Sequence, residues 1–219
     1  MDEDRDARLF AQLRDNMLMN QNLYPHLLIN PISSTRVLED LLGKGWNINF
    51  RGRSAAKPFM WYTVHDVDLV TWCLDHGASV IPEGTVRLPA MPSPDDTLSM
   101  DERLCPTALE WTAAKGTVAT FDLLRSKGAP LGWQTLHNAT RSATQDYDPE
   151  RMSMVRYLID EVGLDVNALD CPQGRATDGR GNTPLSSAAL YDVGLFSSVL
   201  APHAFENKNF LMQTITCHF

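Results

Sequence analysis

Gly181-Asn182-Thr183-Pro184-Leu185-Ser186-Ser187-Ala188-Ala189 decides how the rest of this chain is read, because weaker copies of it stand upstream. Thr107-Ala108-Leu109-Glu110-Trp111-Thr112-Ala113-Ala114-Lys115-Gly116 is one copy. Lys57-Pro58-Phe59-Met60-Trp61-Tyr62 is another, and Thr135-Leu136-His137-Asn138-Ala139 a third. Each position has a physical reason. A threonine at a helix start caps backbone N–H groups that have no intrahelical acceptor. Proline fits the first turn, where its missing N–H is not needed. Small alanines let two helices approach closely. A glycine placed after a helix accepts the left-handed conformation that other residues resist.

The motif, the apolar helix after it and the Gly-Ala-type turn that closes it together resemble the ankyrin repeat, a unit of about 33 residues built from two antiparallel helices and a finger. The resemblance implies an all-α fold, a solenoid of antiparallel helix pairs with irregular finger loops. Its degenerate units fall at 23–50, 51–81, 105–132, 133–168 and 178–204, with insertions at 82–104 and 169–177. Residues 1–22 and 205–219 are expected to be N- and C-terminal capping helices, all within one domain.

The third unit is the cleanest. Thr107 is its cap, Leu109 and Ala113 face the core, Gly116 turns the chain, and Val118, Phe121, Leu123 and Leu124 build the second helix before Gly128-Ala129. Ala108 stands where the family prefers proline. In the second unit Pro58 and Phe59 begin the first helix, and Leu69, Val70, Cys73 and Leu74 lie on the second. His65-Asp66 reads as the turn between them, and Tyr62 and Thr63 replace the usual alanines. In the fourth unit Gln145 to Glu150 reads as a long inter-helix loop, with Asp148 the cap and Pro149 the first residue of the next helix. Gly163-Leu164-Asp165-Val166-Asn167-Ala168 closes that unit, as Gly45-Trp46-Asn47-Ile48-Asn49 closes the first. The first unit has its helices near Tyr24 to Ile29 and at Val37, Leu38, Leu41 and Leu42. Before it, Leu9, Phe10, Leu13 and Met17 recur at helical spacing. In the fifth, Pro202 ends the second helix, and Phe210, Leu211, Met212, Ile215 and Phe219 suit a final apolar helix.

Bulk properties narrow the function. Hydrophobic residues make up 43% of the 219, too many for a disordered chain. A formal charge of −8 argues against a phosphate-binding surface, so nucleic acid is not expected as a partner. No apolar run approaches the ~20 residues needed to span a bilayer, so no membrane partner is expected either. Cys73, Cys105, Cys171 and Cys217 form no C-x-x-C pair and suggest neither zinc nor a redox motif. The charged start Met1-Asp2-Glu3-Asp4-Arg5-Asp6 is not a secretory leader, which points to the reducing cytoplasm or nucleus rather than to two disulfides.

Few side chains suggest chemistry. Trp61 and Trp111 occupy the same place in their motifs, and Asn138 and Ser187 continue the row. Either the tryptophans anchor a ligand on the concave side, or they are bulky packing residues between helices. One place earlier stand Met60, Glu110, His137 and Ser186, where the family prefers histidine. A Glu110–His137 pair in a cleft could move protons near neutral pH. The plainer alternative is a scaffold histidine and a hydrogen-bonded glutamate. Arg53 and Arg180 sit at fingertips, with Arg51 and Arg175, where they could grip a carboxylate or simply aid solubility. No H-E-x-x-H, G-x-S-x-G, Walker loop or G-x-G-x-x-G occurs. The leading expectation is a protein–protein interaction module with no metal and no cofactor. Its binding candidates are Trp61, Trp111, Asn138, Arg53 and Arg180. The alternative is a small-molecule or acid/base pocket at Trp61, Trp111, Glu110 and His137. A third expectation is self-association through the tail from Phe205 to Phe219.

Overall fold

The computed structural model of the chain describes residues 2–20, 35–51, 57–81, 106–146, 149–168 and 183–184. The helix expected near Tyr24 to Ile29, both insertions, Arg53, Arg180, the fifth unit beyond Thr183-Pro184 and the apolar tail lie outside these residues. Among the described residues the regular structure is helical and no strand occurs. The chain divides into two compact units, Met1–Val86 with Leu98–Pro106, and Arg87–Thr97 with Thr107–Phe219.

In the first unit, α1 (Asp2–Asn20) packs against α2 (Thr35–Gly43). Leu13 of α1 is buried, as are Val37, Leu38 and Leu41 of α2, so each helix turns one apolar stripe inward. Helix α3 (Phe59–Tyr62) follows Pro58 and is a single turn whose first three residues are buried. Its brevity has a local cause at Thr63. That hydroxyl bonds the Met60 carbonyl at 2.9 Å, and the Thr63 carbonyl accepts the Asp66 N–H, so the chain leaves the helix in a turn at Thr63. Asp66 then caps α4 (Val67–Asp75), its carboxylate accepting the N–H groups of Asp68 and Leu69, each at 3.0 Å. Trp46, just past α2, meets Phe59 edge-on at 5.4 Å, and both rings are buried.

The second unit holds α5 (Ala108–Lys115), α6 (Val118–Ser126), α7 (Thr135–Asp146) and α8 (Pro149–Asp160). Helix α5 packs against the other three. Leu109, Ala113, Phe121, Leu124, Ala139, Met154, Val155 and Leu158 are buried in this unit. Phe121 and Tyr157 meet edge-on at 5.9 Å, and the Tyr157 hydroxyl donates to Asp122. Partial burial and the Asp122 carboxylate hold that phenol above its usual range, opposed by Arg125. The long loop expected from Gln145 is corrected: Gln145 and Asp146 are still helical. The extra residues lengthen α7, because nothing before Pro149 denies the helix its N–H donors. Pro149 opens α8 as expected.

The second helices end alike. Gly45, Gly77 and Gly128 all have positive φ, between 83° and 90°. After α2, α4 and α6 the same two bonds recur. The glycine N–H returns to the carbonyl three residues back (Leu42, Leu74, Arg125), and the next N–H reaches five back (Leu41, Cys73, Leu124). This is the Schellman arrangement, repeated three times. After α8 one more residue intervenes before Gly163, and Leu164 bonds back to Leu158 instead. The closing segments match too: Asn47 Oδ1 accepts the Asn49 N–H at 2.9 Å, and Asp165 Oδ1 accepts the Asn167 N–H at 2.8 Å. The Asn49 amide spans forward, giving Nδ2–H to the Gly77 carbonyl and taking the Ser79 N–H on Oδ1.

Cys73 is a free thiol in the first unit's core. Burial pushes it from 9.0 up to about 12, helped by the Asp66 charge and opposed by a hydrogen bond with Thr63. The unfolded chain releases that proton near 9.0. The stabilisation from the buried thiol is therefore complete below about pH 9 and is lost as pH rises towards 12. Wild type and Cys73→Ala should thus converge in urea midpoint between pH 8 and pH 10.5. A constant gap would show that thiol ionisation is not coupled to folding.

Candidate functional site

The N-terminus of α5 is locked by a reciprocal pair. The Thr107 hydroxyl accepts the Glu110 N–H at 3.0 Å, and Glu110 Oε2 accepts the Thr107 N–H at 2.9 Å. Two N–H groups that the helix leaves without partners are satisfied at once. The other carboxylate oxygen reaches further: Oε1 accepts the Gln134 N–H at 2.9 Å, on the residue before α7. Gly132 holds that turn in place, its carbonyl accepting both the N–H and the hydroxyl of Thr135. The Glu110 carboxylate lies so close over Gly132 that a Cβ there would overlap the carboxyl carbon and Oε1. Glycine is needed here for space, not for its φ.

His137 occupies the corresponding place on α7 and also reaches forward. Its Nε2 lies 3.0 Å from the Ala168 carbonyl, in the segment that closes after α8. A carbonyl only accepts, so Nε2 carries the hydrogen. Glu110 and His137 are both buried. Both Glu110 oxygens accept backbone N–H groups, and the side chain is only 6% exposed, so the polar contacts shown for it are structural ones. The geometry gives both side chains the work of tying one helix pair to the segment that follows.

The binding candidates separate. Trp61 is 1% exposed, and its indole N–H donates to the Pro106 carbonyl at 3.2 Å. It fills the first unit's core and offers a partner almost no surface, which corrects its expected place in a binding row. Trp111 and Asn138 are half-buried. On α5 every residue except Trp111 and Lys115 is buried, and these two lie one turn apart. Over residues 135–143 of α7 the residues not buried are Asn138 and Arg141, again one turn apart. Two neighbouring helices therefore each keep one open stripe. Trp133, which sequence reasoning missed, stands in the turn before α7 and is 39% exposed. A bulky aromatic between Gly132 and Gln134, outside either helical pattern, was the available signal.

Among the described residues no group of three or more His, Cys, Asp or Glu side chains is placed to hold a metal ion, and no helix is long and apolar enough to cross a membrane. Neither a protein-family model nor a curated protein sequence matches this chain.

Proposed function

We propose that the chain is an ankyrin-type repeat array acting as a protein-interaction module, with its partner held on the exposed stripes of the first helices and on the turns before them. The ankyrin reading is supported by the helix pairs, by the recurring left-handed glycine endings and by the matching Asx turns at Asn47 and Asp165. Such units stack into an extended surface. The observation that carries the function is Trp133: a large aromatic ring left exposed on the turn before α7, a turn braced by the Glu110–Gln134 bond. Exposed tryptophans on rigid elements are the usual anchors of protein interfaces. The free thiol of Cys73 fits a reducing compartment, the cytoplasm or nucleus.

Immobilised full-length chain and its Trp133→Ala and Glu39→Ala variants, exposed to an extract of the source cell, provide the test. Glu39 is an exposed control on α2. Wild type and control should retain the same partner, and Trp133→Ala should hold it at least about tenfold more weakly. Identical retention by all three would remove Trp133 from the interface and, with it, the support for this function.

A further inference from the structure

The peptide between Pro106 and Thr107 is one of the places where the chain passes from the first unit to the second. Both of its polar atoms are held. The Pro106 oxygen accepts the Trp61 indole N–H at 3.2 Å, and the Thr107 nitrogen donates to Glu110 Oε2 at 2.9 Å. Glu110 Oε1 accepts the N–H of Gln134, the neighbour of Trp133, at 2.9 Å. Three hydrogen bonds therefore run in series from an indole in α3 to the turn before α7. Trp61, Thr107 and Glu110 are all buried, so water does not readily replace a bond that breaks there.

Two features make the series act as a unit. A peptide whose oxygen accepts a hydrogen bond is polarised and donates more strongly through its N–H. The indole also fixes the plane of that peptide and so aims the Thr107 N–H at Oε2. A carboxylate is planar, so a bond on Oε2 sets where Oε1 lies. The carboxylate already fills the space over Gly132, which leaves it little room to swing aside.

We propose that this relay is a conformational device, in which the enclosed indole of Trp61 sets the order of the turn that carries Trp133. With the indole bond made, Gln134 is held on Glu110; with it broken, the turn is released. The link is reciprocal, so a ligand that orders the Trp133 turn also tightens the hold on the 106–107 peptide. The inference stands apart from the interaction-module reading, because it concerns the chain alone.

Native-state amide hydrogen exchange of the full-length chain, followed by NMR, tests it. Trp61→Phe keeps an aromatic ring and removes the N–H. Exchange should rise by about two- to tenfold at Thr107, the worth of one hydrogen bond, and by at least about twofold at Gln134. The Ala129 N–H, which bonds the Leu124 carbonyl at 3.0 Å in the same unit, lies outside the relay and serves as the reference. Its rate should change by less than about 1.5-fold. In a Glu110→Ala background the series is cut, and Trp61→Phe should then shift the Gln134 rate by less than about 1.5-fold. Benzothienylalanine in place of Trp61 keeps the shape of the indole without its N–H. It should give the same pattern, including where phenylalanine leaves too large a void. An unchanged Gln134 rate with either replacement would overturn the proposal. So would an equal rise at Ala129, which reports general loosening, or a rise at Gln134 that persists in Glu110→Ala, which reports packing and not the relay.

Discussion

Replacing Trp61 with alanine should lower the stability of the folded chain by about 3–5 kcal/mol, whereas Trp111→Ala should cost no more than about 1.5 kcal/mol. The two residues hold the same place in their motifs, and only their surroundings separate them. Trp61 is almost wholly enclosed and lies between buried Met60 and Thr63 on a single-turn helix that has little hydrogen bonding of its own. Removing the indole opens a large cavity beneath that turn. It also leaves the Pro106 carbonyl without the N–H that now bonds it at 3.2 Å. Trp111 lies on the open stripe of α5, where truncation removes partial burial and water fills the space. Urea denaturation of the two single variants, followed by circular dichroism, measures both. Equal losses would mean that Trp111 is as enclosed as Trp61, and would remove it from the proposed binding face.

That contrast marks how far the sequence could be read. Helix positions followed from local rules: Thr107 as a cap, Pro149 as a first residue, and Gly45, Gly77 and Gly128 at helix ends were visible from residue type and spacing, whereas His65-Asp66 reads only as a turn and the cap at Asp66 shows in the structure alone. The length of α7 was not, because Gln145 and Asp146 suit a loop as well as a helix, and no local signal decides between them. The site was legible only in part. Glu110 stood out as a departure from its neighbours' pattern, but its role depends on Gln134, far along the chain, and such a bond has no local trace. Trp61 was misplaced for a related reason. A periodic motif says which residues are equivalent in register, but burial depends on what the flanking segments add, and these differ between the two copies. Trp133 was overlooked because it belongs to no periodic pattern at all.

Glu110→Ala should be the most damaging polar substitution in the second unit, at about 2–5 kcal/mol, although alanine is the better helix former. The lost carboxylate abandons two N–H groups at once: that of Thr107 inside the capping box and that of Gln134 at the start of the next helix pair. The first loss is a cap defect of about 1 kcal/mol. The second removes the bond that ties Gln134 to α5 at a partly buried junction and loosens the turn that carries Trp133. Glu110→Gln should fall between the two, since its amide oxygen can accept one N–H while its NH₂ group faces the other donor. Gly132→Ala offers an independent approach, because its Cβ would take the space of the Glu110 carboxylate and push it off Gln134. The two effects should therefore not add. In the Glu110→Ala background the space above Gly132 is empty, and Gly132→Ala should cost far less there than in the wild type, giving a coupling of about 1 kcal/mol or more in a double-mutant cycle. Independent, additive losses would mean that the carboxylate and the glycine do not share this junction. Because Trp133 sits between Gly132 and Gln134, the same variants should also weaken partner binding by more than Thr107→Ser, which keeps the capping hydroxyl and leaves the Gln134 bond untouched.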